Sequence, residues 1–364
     1  MSKKAEEKLN CIPDTVLYPA VKKRCIDKGV IKDEFLDPCY IYYVRNYEDN
    51  LINDCENIKR KEYGGTLIQH PSNIDPKHLD QYRSSNGNPL SPSPMCALHS
   101  SAAMAFNIFG NKTVTLNENA PAALGVSPGE FKLEYEKKLV ATTVNGATPF
   151  VDVYLNKKAE NGCEIVLFEI KMVEWVRGDK PKELAKSYGN KNNYPNPDKE
   201  VPTEPDLFTK LDELRKNLTD KESKDKYICK YKHFDAFQFY LHLCGICTAL
   251  FCRDYLKKKE FGSFPEKLSK ITLVDGIWTI PDAGFLEGTG IDHEKYENDL
   301  EQEYYDEFGE FYGLSEPVID LINKKGKIRY GDDFNFDIKL LTVKQIIDCM
   351  TKTPAEKEYL KRYI

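Results

Sequence analysis

The order of elements along the chain predicts an α/β fold. A mixed central β-sheet is flanked by helices, with a helical addition at the N-terminus and a mixed one at the C-terminus. Three observations predict it. Phe131-Lys-Leu-Glu-Tyr-Glu-Lys-Lys-Leu alternates apolar and polar residues with the period of a strand. Two apolar runs, Phe150-Val-Asp-Val-Tyr and Cys163-Glu-Ile-Val-Leu-Phe-Glu-Ile-Lys-Met, follow it across a short turn. A long apolar helix, Phe234 to Phe251, then separates these strands from another, Lys270-Ile-Thr-Leu-Val-Asp-Gly-Ile-Trp.

Residues 1–95 read as a mainly helical extension, with apolar faces from Val16-Leu-Tyr-Pro-Ala-Val and Tyr40-Ile-Tyr-Tyr-Val. Arg83 to Pro94 is rich in Ser, Asn and Pro and reads as a loop. The core is expected over residues 96–285 and begins with a helix from His99 to Gly110, capped by a serine and ended by the glycine. Within it, about 177–230 reads as a lysine-rich insertion. Residues 286–364 form the C-terminal extension, whose Glu287–Glu310 stretch is strongly acidic with only Lys295 opposing it. Interleaved Tyr296, Tyr304, Tyr305 and Phe308 make that stretch an amphipathic helix, expected to face away from any anionic substrate or to meet a protein partner.

Composition narrows the classes. The chain has 364 residues, 41% hydrophobic and 30% charged, the balance of an ordinary globular protein. No run approaches the roughly 20 apolar residues that span a bilayer, and the first residues lack a secretory signal. A cytoplasmic protein without a membrane partner is expected. Eleven cysteines without a small-scaffold rhythm read as buried small side chains in a reducing compartment. A formal net charge of -6 gives no global attraction to nucleic acid, so any phosphate contact must be local, with lysines between Lys180 and Lys232 as its candidates.

The chemistry concentrates at Asp152 to Lys171. Side chains alternate along a strand, so Glu169 and Lys171 share a face, opposite Phe168 and Ile170. Polar groups on an otherwise buried strand are costly unless paired or ligand-binding. Neighbouring strands add Asp152 and either Glu134 or Glu136. Carboxylates converging from adjacent strands suit a hard divalent ion such as Mg²⁺. A nearby lysine can hold a water or stabilise charge on a phosphoryl oxygen. Each signal also has a plainer reading: an acid-x-Lys triplet alone is most often a solvated edge, and Glu174, three past Lys171, reads equally as a support behind the site residues or as a surface acid. His242 in an apolar helix is more often a satisfied core histidine than a base. Asn107 and Ser101 are better read as packing and capping than as phosphate contacts. Cys244 and Cys247, with Cys252, Cys229 and His233 nearby, have a zinc or redox spacing but sit within one apolar helix, which favours burial.

With an acid in Pro149-Phe-Val-Asp152 and the triplet Glu169-Ile-Lys171, the sequence resembles the PD-(D/E)XK nuclease superfamily. It is similar in particular to a branch of bacterial restriction-endonuclease-like proteins, through Ser100-Ser-Ala-Ala-Met-Ala-Phe-Asn-Ile-Phe, Leu133-Glu-Tyr-Glu-Lys-Lys-Leu, Phe168-Glu-Ile-Lys-Met-Val-Glu and the helix around Gln238. The resemblance covers roughly residues 98–280. Pro149 stands three residues before Asp152, so the literal Pro-Asp pair is absent. The resemblance implies a restriction-endonuclease-like core and a Mg²⁺-dependent endonuclease, with Mn²⁺ as a substitute ion, that cuts DNA to leave a 5′-phosphate. It implies Asp152, Glu169 and Glu136 (alternate Glu134) as metal ligands, Lys171 as the water-positioning group, and Gln238 as the helix glutamine near the site. Symmetric double-strand cutting would favour a homodimer. The alternative is a catalytically silent scaffold that binds nucleic acid or a protein partner.

Overall fold

The computed structural model describes residues 17–37, 42, 58–63, 66–71, 97–110, 113–142, 149–176, 182–190, 193–196, 201–202, 205–258, 264–289 and 292–364. The expected loop at Arg83–Pro94 and, save Tyr42, the Tyr40–Val44 segment lie outside the described residues. In chain order the strands are β1 (Ile58–Tyr63), β2 (Thr66–Pro71), β3 (Thr113–Leu116), β4 (Gly129–Lys138), β5 (Phe150–Ala159), β6 (Gly162–Lys171), β7 (Glu183–Ala185), β8 (Thr219–Glu222), β9 (Lys226–Cys229), β10 (Leu268–Ile277) and β11 (Asn335–Thr342). The helices are α1 (Tyr18–Asp27), α2 (Ser101–Phe109), α3 (Ala120–Leu124), α4 (Leu207–Leu218), α5 (Ala236–Phe251), α6 (Arg253–Lys258), α7 (His293–Tyr296), α8 (Gln302–Tyr330), α9 (Val343–Asp348) and α10 (Pro354–Leu360).

A six-stranded mixed sheet in the order β11-β10-β6-β5-β4-β3 forms the centre. The β3–β4, β4–β5 and β5–β6 pairs are antiparallel, whereas β10 runs parallel to both β6 and β11. A tight turn at Glu160-Asn161 joins β5 to β6, and Ala159 pairs with Gly162 across it. Gly162 has φ +142, and a Cβ there would lie 2.9 Å from the Leu268 carbonyl carbon, so only glycine lets β6 start this close to β10. This turn sets the register that brings Asp152 across from Glu169. The interior of β6 is buried on both faces, as expected for a strand flanked by helices on each side.

Helix α2 covers one face of the sheet. Ser100 caps it by accepting from the Ala103 N–H at 3.2 Å, and Gly110 follows its last residue at φ +77. Phe109 meets Phe168 with ring centroids 4.8 Å apart. Asn107 is buried, and its amide donates to the Tyr363 hydroxyl at 2.8 Å, a packing role. Helix α5 covers the opposite face, the one to which Glu169 points. Its N-cap is Asp235, which accepts from the Gln238 N–H at 3.1 Å. Cys244 and Cys247 are both buried within α5, as is Cys252 just after it.

Three features differ from the sequence reading. A β-hairpin, β1–β2, lies in the N-terminal region expected to be mainly helical. The lysine-rich segment contains α4 and a small sheet in the order β7-β9-β8 among its described residues. Lysines of this region meet acids: Lys186 with Glu222, Lys226 with Glu183, and Lys230 with Glu310. The acidic stretch also does more than face away, because its helix continues to Tyr330 and packs against α4, α5 and β11. Beyond it, β11 joins the central sheet as the edge strand beside β10.

Candidate active site

Where the β5–β6 ladder reaches its last pair, Val153 with Phe168, the Asp152 carboxylate takes over. Its Oδ2 accepts the Ile170 N–H at 2.7 Å. One residue back, Glu169 projects to the α5 side and is buried, 2% exposed. Its Oε1 accepts from Lys171 Nζ at 2.6 Å and from Gln238 Nε2 at 2.7 Å. The same glutamine accepts from Lys171 Nζ at 2.9 Å through Oε1, so Lys171, Glu169 and Gln238 close a triangle that fixes the amide's orientation. His242, one turn along α5, places Nε2 3.1 Å from Glu169 Oε2. A carboxylate can only accept, so Nε2 carries the proton, and Nδ1 has no hydrogen-bond partner among the described residues.

The charges are strongly coupled. Burial pushes the Asp152 carboxyl well above the usual range, and the neighbouring Glu169 and Glu136 carboxylates push it further. Burial also opposes ionisation of Glu169, yet Lys171 and His242 outweigh it and hold the group down at about 2. Burial works against the Lys171 charge, but Glu169, Asp152 and Asp235 hold its pKa above that of an ordinary lysine.

The two candidate acids on β4 differ. Glu134 pairs with Lys137, its two oxygens 2.9 and 3.0 Å from Nζ. Glu136 is near enough to Asp152 to raise its pKa and has φ +51, in the left-handed region that non-glycine residues seldom occupy. The β4–β5 pairing passes from Tyr135/Val153 to Lys137/Val151 around it. Such a departure is concentrated at functional sites in proteins and costs about 1–3 kcal/mol. Glu174 is exposed and accepts the Met172 N–H at 2.8 Å.

One further acid went unread in the sequence. Asp275 on β10 is paired in register with Glu169, is fully buried, and accepts from the Tyr304 hydroxyl at 2.5 Å. Burial raises its carboxyl to about 7, a rise that Glu169 and Asp235 favour and that Tyr304 and Lys171 oppose. Its signal was a lone acid inside the apolar run Ile271-Thr-Leu-Val-Asp-Gly-Ile.

Residues 45–246, more than half of the chain, match the family described as restriction endonuclease associating with ARP. The chain belongs to that family. The match supports a nuclease-like protein and takes in Glu136, Asp152, Glu169, Lys171, Gln238 and His242, while β10 and α8 lie beyond it. No curated protein and no solved structure matches the chain. None of the described helices is long and apolar enough to cross a membrane.

Among the described residues no group of three or more His, Cys, Asp and Glu side chains is arranged to hold a metal ion. The donor chemistry nevertheless fits a hard cation. An ionised carboxyl offers about four acceptor positions. Asp152 uses one of them on Ile170, and Glu169 uses three on Lys171, Gln238 and His242. The remaining lone pairs lie where Asp152, Glu169 and Glu136 crowd one another, and a divalent ion would relieve the repulsion that opposes ionisation of Asp152. Mg²⁺ characteristically takes only one or two carboxylates and retains several waters.

Proposed function

We propose that this protein is a Mg²⁺-dependent endonuclease hydrolysing DNA phosphodiester bonds, as a restriction or defence enzyme. The observation that carries the reading is the triangle of Lys171, Glu169 and Gln238 beside Asp152, on adjacent strands and the helix facing them. Asp152 and Glu169, assisted by Glu136, would hold the ion. When bound, Mg²⁺ would polarise the phosphoryl oxygen and make a coordinated water more acidic. Lys171 keeps its proton and is the cation that orients the attacking water and stabilises charge developing on the phosphoryl oxygen. Gln238 and Glu169 hold that ammonium group in place, and His242 fixes the other oxygen of Glu169. Mn²⁺ is expected to substitute for Mg²⁺. Association with ARP, which the family's description names, belongs to the same proposal.

The deciding experiment incubates plasmid, linear and single-stranded DNA with the protein, in Mg²⁺ or in chelator. Lys171→Ala should abolish cleavage while the circular-dichroism spectrum stays that of the wild type. Undiminished Mg²⁺-dependent cleavage by that variant refutes the assignment. A second reading, a silent scaffold that only binds, gains weight from the three contacts that already occupy Glu169. Calorimetry separates the two, since Mg²⁺ binding that disappears in Asp152→Asn is expected only for the enzyme.

A further inference from the structure

Helix α8 reaches the site at two points three residues apart. Tyr304 bonds to Asp275, the register neighbour of Glu169. Glu307 turns to the chain just ahead of α5. Its Oε1 accepts the Lys232 N–H at 2.8 Å, and its Oε2 accepts those of His233 and Phe234 at 2.9 and 2.7 Å. Consecutive backbone N–H groups converging on one point form an anion-binding nest. Here a side chain from 73 to 75 residues further along the chain fills it.

The position of that nest gives it a consequence. The next residue is Asp235, whose carboxylate caps α5 through the Gln238 N–H. Gln238 in turn holds Lys171 and Glu169, and His242 holds Glu169 one turn later. His233 is anchored on its other side by Nδ1 to the Trp175 carbonyl at 2.9 Å, four residues past Lys171. A small cavity of about 40 Å³ lies between these parts, with Lys171, His233, Asp235 and Tyr304 among its walls. The turn and the lysine therefore border one small space. Charge-assisted bonds to a carboxylate are stronger than neutral ones, and three of them define where α5 begins.

We infer that Glu307 is a positioning residue: by gripping the Lys232–Phe234 turn through three backbone hydrogen bonds, it sets where Gln238 and His242 meet Glu169 and Lys171. Its kinetic consequence rests on the proposed nuclease reading; its geometric consequence does not. The acidic segment is then a working part of the site, although it lies beyond the span matched by the family.

The test uses full-length protein with ¹⁵N-labelled histidine, comparing wild type, Glu307→Ala, Glu307→Gln and Glu310→Ala. Glu310 serves as the control because it is exposed, lies on the same helix, and meets the side chains of Lys230 and Tyr231 rather than the backbone N–H groups of the turn. The His242 imidazole resonance reports its contact with Glu169, and kcat is read at a temperature well below unfolding. Glu307→Ala should shift the His242 resonance and lower kcat about tenfold to a hundredfold, the cost of a small misplacement, with KM nearly unchanged. Glu307→Gln keeps one acceptor oxygen and should recover part of both, and Glu310→Ala should match the wild type. A folded Glu307→Ala with a lower melting temperature but wild-type resonance and kcat overturns the inference, leaving Glu307 a purely structural brace. If Glu307→Ala does not fold, Glu307→Gln carries the same comparison. If the wild type cleaves nothing, the nuclease reading falls and the resonance alone decides the positioning role.

Discussion

Replacing Asp275 by asparagine should remove a pH dependence of stability that the wild type carries. The carboxyl is fully buried and is raised from 3.8 to about 7 in the folded protein. Between those two values the folded state holds a proton that the unfolded state has released, so stability falls as pH rises through this window. At about 1.4 kcal/mol per pH unit, the full cost above pH 7 is about 4 kcal/mol, of which about 3 kcal/mol is lost from pH 5 upward. An asparagine keeps an oxygen for the Tyr304 hydroxyl. Its NH₂ group replaces the Oδ1 that has no partner among the described residues, and burying that donor unpaired costs about 1–3 kcal/mol. Urea unfolding in EDTA from pH 5 to 8.5 should therefore find Asp275→Asn the less stable protein at the acid end. The difference should move in the variant's favour by about 3 kcal/mol at the alkaline end. A difference that stays flat across that range would show that Asp275 is ionised throughout, and the argument would fail.

Three further substitutions probe the site and its scaffold. Glu136→Gln removes one of the anions that raise Asp152, so the Asp152 carboxyl should titrate at lower pH by ¹³C NMR and Mg²⁺ should bind more weakly by calorimetry; Glu134→Gln, whose carboxylate faces Lys137 and Tyr154 rather than Asp152, should change neither. Gly245→Ala would put a Cβ 2.5 Å from the Leu139 Cβ and 3.2 Å from its carbonyl, so α5 must back away from the end of β4. Urea denaturation should show a loss of about 1–3 kcal/mol, and a variant as stable as the wild type would mean that α5 is not held this closely.

Much of the site was legible because its geometry is local. A period of two puts Glu169 and Lys171 on one face, a short turn brings Asp152 opposite, and a four-residue spacing stacks Gln238 on His242. Residues that join the site through distant pairing were not legible. Nothing near Asp275 announces that β10 will lie parallel to β6 with that acid beside Glu169. Nothing near Glu307 announces a turn 75 residues earlier. The left-handed backbone at Glu136 is equally silent in the sequence, since the strand pattern around it is regular. One miss was avoidable: Leu207, Leu211, Leu214 and Leu218 recur at helical spacing, and all four are buried along α4. The lysines around them mark the segment as an insertion and mask that spacing. The β1–β2 hairpin is the opposite case, because Ile58-Lys-Arg-Lys-Glu-Tyr has almost no apolar face to betray a strand.

The parallel pairing of β10 between β6 and β11 also orders events in time. Asp152, Glu169 and Lys171 emerge early during synthesis, but the strand that flanks Glu169 follows only at Leu268–Ile277, and that strand's outer neighbour only at Asn335–Thr342. Contacts of such sequence separation form slowly, and chains fold from the N-terminus as they are made. A nascent chain on the ribosome would thus carry the candidate site's side chains without the walls that align them. If the protein is the nuclease proposed above, it would stay inert beside the nucleic acids that encode and translate it until β10 and β11 have been made and paired.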